Sequence, residues 1–182
     1  MKPIAVMRAR GASGGGGGSW ATTYSGVRDV SNSSGWGGYT LRQIIGAGAS
    51  PAGSKARLTL MATSSNAVVI ASAHFGNQAA SGDSYDFAAS PARVTFGGAN
   101  GVTIPAGGEI VTDEIDIAMP GLKPLLFAAS FTSGTLPRFA NAGIANQKLE
   151  KAGADDATVN ATGYSGSASF MYLIRKVEIY SP

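Results

Sequence analysis

Cysteine is absent and histidine occurs once, at position 74, in a chain of 182 residues. Without thiols there is neither a disulfide framework nor a thiolate metal site, and a single imidazole cannot build a transition-metal centre. Redox compartment is therefore unreadable. Charge is scarce as well: Asp, Glu, Lys and Arg make up 14% of the chain, where about a quarter is usual. The net charge of +3 is mild. Apart from Lys2, Arg8 and Arg10 the basic residues are scattered, which argues against a nucleic-acid-binding face. No apolar run approaches membrane-spanning length, and the first residues lack the apolar core of a signal peptide. The expectation is a chain made in the cytoplasm, with no nucleic-acid partner and no membrane insertion.

Gly, Ala, Ser and Thr fill the gap left by charge, as in chains with many tight turns or with surfaces that meet other subunits. The length allows one domain with a real core. The densest small-residue stretch is Gly14, Gly15, Gly16, Gly17 and Gly18, close to the start. A phosphate-cradling loop would need a preceding strand and a following Lys-Ser/Thr, and neither is present. A collagen segment would need a triplet period, which is missing. An engineered linker fits poorly with the Met1-Lys2-Pro3 start and the absence of a tag. What remains is an extended arm over residues 1–26 that orders on a neighbouring subunit. In that reading Ile4, Val6, Met7 and Trp20 anchor it, Lys2, Arg8 and Arg10 face acidic surface, and the glycines cross a gap too tight for side chains or one where φ must be positive. The alternate apolar positions Ile4 and Val6 suit β-addition to a sheet edge. Ordering such an arm is costly, so a symmetric homo-oligomer, a trimer, docked on a larger particle is expected.

After the arm the pattern is strand throughout. Tyr39 to Ile45 opens it. Ala56 to Met61 alternates, with Leu58 and Leu60 on one face and Arg57 and Thr59 on the other. Ala67 to Phe75 and Leu125 to Phe131 are predominantly apolar runs, consistent with central strands covered on both sides. Ala92 to Phe96, Val102 to Ile104 and Glu109 to Ala118 are short and bounded by Gly/Pro turns. Within the last, Glu114 and Asp116 point out while Ile115 and Ile117 point in. Phe170 to Tyr180 closes the chain. Asn146 to Gly153 reads as a short helix. About eight or nine short strands separated by turn residues predict an antiparallel sandwich.

The order of several motifs is specific: Gly38-Tyr39-Thr40-Leu41-Arg42-Gln43, Gly82-Asp83-Ser84-Tyr85-Asp86-Phe87, Val94-Thr95-Phe96-Gly97-Gly98, Ile104-Pro105-Ala106-Gly107-Gly108, Ala152-Gly153-Ala154-Asp155-Asp156-Ala157-Thr158-Val159 and Ile174-Arg175-Lys176-Val177-Glu178. Together they resemble a jelly-roll module of alphaproteobacterial phage and prophage proteins. That module often precedes an SGNH-type (GDSL-like) esterase domain and is taken to bind carbohydrate. The resemblance covers roughly residues 26–180 and implies an all-β jelly-roll sandwich over 27–182. Its motifs are turn-and-strand patterns without catalytic content. Here the glycine arm stands in place of a downstream esterase. The expectation is therefore a structural virion protein: a capsid decoration or head spike, or a tail-fibre or baseplate component, held by its arm to major capsid or tail proteins. A stand-alone carbohydrate-binding module is the alternative.

Gly82-Asp83-Ser84 spells the nucleophile triplet of a GDSL-like hydrolase, but the Asp-x-x-His partner is missing: His74 precedes the serine, with Ala71 where the orienting Asp would sit. A turn capped by Asp83 is the better reading. His74, within an apolar run, reads as a hydrogen-bonded core or subunit-contact residue. Asp83 with Asp86, and Asp155 with Asp156, have hard oxygens for calcium but lack a calcium-loop spacing. Asp113, Glu114 and Asp116 form no compelling glycosidase pair. No catalytic residue, metal or cofactor is expected, and the chain reads as a non-enzyme. Trp36, Tyr39, Tyr85, Phe87 and Tyr164 stand beside Gly, Ser or Asp in turn-rich segments. They are the candidate stacking faces for a host surface glycan.

Overall fold

The computed structural model describes residues 17–46, 51–140, 148–153, 155–165 and 170–182. Among them there is no helix, and every sheet is antiparallel. The strands are β1 (Ser19–Ser25), β2 (Val27–Ser33), β3 (Tyr39–Ile45), β4 (Gly53–Met61), β5 (Val68–Asn77), β6 (Ala92–Val94), β7 (Val102–Ile104), β8 (Glu109–Val111), β9 (Ile115–Met119), β10 (Leu125–Gly134), β11 (Leu136–Ala140), β12 (Lys148–Ala152), β13 (Phe170–Tyr172) and β14 (Ile174–Ser181). The count exceeds the expected eight or nine because short, half-polar segments such as β2 and β11 pair without strong alternation in sequence.

A five-stranded sheet runs β1-β14-β4-β8, with β9 pairing the other end of β4. A six-stranded sheet runs β12-β3-β10-β5-β6, with β7 also on β5, and a three-stranded sheet runs β13-β11-β2. One hydrophobic core joins them. Ala56, Leu58, Leu60, Val177 and Ile179 face it from the first sheet, Leu41, Phe75, Leu125 and Phe127 from the second, and Phe139, Met171 and Tyr172 from the third. The alternation read in β4, β9 and β14 is the one observed, because each of these strands turns only one face to the core. Gln43 is wholly buried among these apolar groups and is satisfied by backbone. Its amide donates to the Tyr172 carbonyl at 2.7 Å and accepts from the Tyr172 N–H at 2.9 Å, stitching the second sheet to the third.

Two sequence expectations are corrected by this architecture. Lys148–Ala152, read as part of a short helix, is strand β12 paired in register with β3. The helix propensity of Leu149-Glu150-Lys151 is a weak preference, overridden here by the open edge of β3. Ser19–Ser25, expected within the arm, pairs with β14 of the same chain and so belongs to the body.

Candidate functional site

The chemistry-bearing side chains converge on the outer face of the six-stranded sheet. Strand pairing lays them in rows: Thr40, Ser130 and Ser72 in one, Arg42, Ala128, His74 and Arg93 in the next, Ile44, Leu126 and Gly76 in the third. Residues 79–91 and 155–165 cover this face. Tyr85, Phe87 and Ala161 form a second small core with Ile44, Leu126 and Ala128. This explains why β10 lacks alternation: both its faces are covered. Gly76 is required for the fit, since a Cβ there would stand 2.7 Å from the Phe87 ring.

At the centre of the polar rows lies Asp156, buried at 3% exposure. Its Oδ2 is 2.8 Å from His74 Nδ1, and its Oδ1 accepts from Ser72 Oγ at 2.7 Å and Ser130 Oγ at 3.2 Å. The Thr40 hydroxyl continues the chain to Ser130 at 2.8 Å. Burial raises the Asp156 pKa, but the hydrogen bonds from His74 and Ser72 outweigh it and hold the carboxyl below its ordinary value. Beside it, Arg42 is fully buried. Its guanidinium donates to the carbonyls of Tyr85, Thr158 and Val159, tying both covering segments to β3. It also lies 4.7 Å from the Phe87 ring centre and 5.0 Å from that of Tyr164. The covering segments bind each other too, through Phe87 N–H to the Val159 carbonyl and Ala161 N–H to Asp86 Oδ1.

Serine, histidine and aspartate thus meet, but in the wrong order for nucleophilic catalysis. A nucleophile must bond the imidazole nitrogen opposite the carboxylate, so that histidine takes its proton. Here both serines donate to the carboxylate itself, which collects three donors. Such an arrangement clamps a loop to a sheet. Ser84 lies elsewhere, on an exposed turn in which Asp83 Oδ1 accepts the Tyr85 N–H at 2.9 Å, as the turn reading of the triplet expects.

The other candidate residues fall into place individually. Asp155 is exposed and caps the Ala157 N–H at 2.8 Å, while its neighbour Asp156 points into the sheet, so the two carboxylates diverge. Asp113 accepts from Thr95 and from the N–H groups of Gly98 and Gly97, and these bonds lower its pKa. Glu114 pairs with Lys55, and Asp116 is exposed on β9. The glycan aromatics do not form an open platform. Trp36, Tyr85 and Phe87 are buried, at 2%, 6% and 2% exposure. Trp36 packs edge-on against Phe131 and Tyr39. Tyr164 is half-buried over Arg42, and Tyr39 alone of the five is exposed. These rings serve as core because loops, invisible in sequence, fold over them.

Of the arm residues, Ile4, Val6, Met7, Arg8, Arg10, Gly14, Gly15 and Gly16 lie outside the described residues. Gly17, Gly18 and Trp20 are described. A Cβ on Gly18 would collide with the Tyr180 hydroxyl and the Ser181 carbonyl of the chain's own β14, whereas one on Gly17 would meet nothing within 4 Å. Trp20 packs on its own chain, 5.5 Å from Tyr180 and 4.3 Å from the Arg57 guanidinium. Sequence reasoning missed Asp156 as the partner of His74 because 82 residues separate them. It also missed the pairing of Trp20 with Tyr180, whose signal was present in the alternation of β14. Compared with known proteins, the chain matches no family model and no curated protein.

Proposed function

We propose that this chain is a structural component of a tailed bacteriophage or phage-like particle, a capsid decoration or head spike or a tail-fibre or baseplate part. Its body is a jelly-roll sandwich and its N-terminal segment is the tether. The observation that carries this reading is the junction between glycine run and body. β1 is the outer strand of the five-stranded sheet, and Gly18 threads against Tyr180 directly before it. Among the described residues Gly17 and Gly18 thus stand at a sheet edge, a position from which a tether could reach a neighbouring subunit by strand addition. The use of the buried Ser, His, Asp and Arg groups to fasten loops supports a scaffold role over a catalytic one. The partners in this reading are capsid or tail proteins and further copies of the chain.

The reading is tested by quantitative mass spectrometry of purified particles from the host that encodes the chain. The expected result is a copy number in a fixed integer ratio to the major capsid or tail protein. Absence of the chain from particles, or a trace amount that varies between preparations, would sink it.

A further inference from the structure

Trp20, Tyr180 and Lys55 stand in one cross-strand row on the outer face of the five-stranded sheet, Trp20 opposite Tyr180 and Tyr180 opposite Lys55. With Glu114 they line an open hollow of about 390 Å³, within the size range of small-ligand sites. The two rings sit 5.5 Å apart and tilted by 54°, making an angled aromatic wall. The indole is braced: Arg57 lies over it at 4.3 Å and is itself fixed by two hydrogen bonds to Glu178, at 3.0 and 3.2 Å. Next to the wall, Lys55 Nζ and Glu114 Oε2 pair at 2.6 Å with side chains 39% and 51% exposed.

The chemistry of these four groups is selective. An aromatic wall offers a flat apolar surface to the C–H face of a pyranose ring. An ammonium beside a carboxylate presents a donor next to an acceptor, the complement of two adjacent hydroxyls, each of which both donates and accepts. Because the pair is neutral in sum, it gives no advantage to an acidic or cationic ligand. We propose that this hollow binds a neutral pyranoside, the exposed sugar of a glycan, with Trp20 and Tyr180 stacking on the ring and Lys55 and Glu114 reading vicinal hydroxyls. This assigns glycan contact to residues other than the buried aromatics of the loops. It rests on the reading of the protein as an outer component of a particle.

The test is a nuclear magnetic resonance titration of the full ¹⁵N-labelled chain. The probes are methyl pyranosides of glucose, galactose, mannose and N-acetylglucosamine, with cellobiose and chitobiose. The chain has two tryptophans, and Trp36 is buried, so its indole N–H is an internal control for that of Trp20. The expected result is a saturable shift of the Trp20 indole and of the Lys55 and Tyr180 amides with at least one sugar, while Trp36 stays still. Glu114→Ala, at an exposed position that leaves the body folded, should weaken that affinity by about tenfold or more. No saturable shift with any sugar of the panel, shifts centred on other residues, or unchanged affinity in Glu114→Ala overturns the site. Particle attachment is read separately. A chain present in particles at fixed copy number but indifferent to sugar loses only this site. Sugar binding by a chain absent from particles removes the structural reading instead.

Discussion

Asp156 accepts hydrogen bonds from His74, Ser72 and Ser130 while almost wholly buried, so replacing it leaves three polar groups without their common partner. Asp156→Asn should lower stability by about 3 kcal/mol, because buried donors lose the charged acceptor that satisfies them. Urea unfolding at neutral pH measures this directly. The pH dependence follows from the depressed pKa of Asp156. The unfolded carboxyl titrates near pH 4, at about 3.9. The folded one titrates lower, so the unfolded state binds the proton first on acidification. The stabilisation is fully present above the unfolded pKa and is lost as pH falls through the folded one. The urea midpoint should therefore fall in acid, and the fall should be shallower in Asp156→Asn. A share of the acid slope should survive in that variant, because Asp113 and Glu178 also have lowered pKa values. Equal slopes in the two proteins would contradict this account of the cluster. Arg42 offers a parallel case. Arg42→Met strips the donors from three carbonyls and should cost about 3 kcal/mol by the same measurement. It should also raise hydrogen exchange across residues 155–165 more than in β10.

Among the elements, β1 is where local sequence and tertiary packing meet most sharply. A methyl at Gly18 runs into the Ser181 carbonyl, which is backbone and cannot swing away, whereas the same probe at Gly17 meets nothing within 4 Å. Gly18→Ala should therefore destabilise by roughly 1–3 kcal/mol, and Gly17→Ala should lie within about 0.5 kcal/mol of the parent. Thermal melts of the two variants provide the comparison, and equal effects would mean that the β1–β14 junction is not as described. Among the strands that could be read in sequence, β4, β9 and β14, each with one buried face, announce themselves by alternation. β5 and β10 announce themselves by the lack of it. β1 and β2 could not be read, because small and polar residues interrupt their apolar ones, and β11 could not because it contains Pro137, which normally weakens a strand assignment. The site was legible only in part. Ser84 as a turn and His74 as a bonded interior group follow from local pattern. The burial of Tyr85 and Phe87 depends on segments folding across a sheet, which residue spacing does not encode.

For the molecule as a whole, the proposed function divides the labour between a body held by its hydrophobic core and an N-terminal segment that provides attachment. The core residues lie within the described body, from Trp36 onward. Stability should therefore be insensitive to the first residues, and assembly should depend on them. The decisive measurement is the copy number of a variant lacking residues 1–16 in particles assembled in its presence, read beside its melting temperature. The account predicts a melting temperature within a few degrees of the full chain and loss of the variant from particles. A folded, truncated chain that joins particles at the full copy number would contradict it.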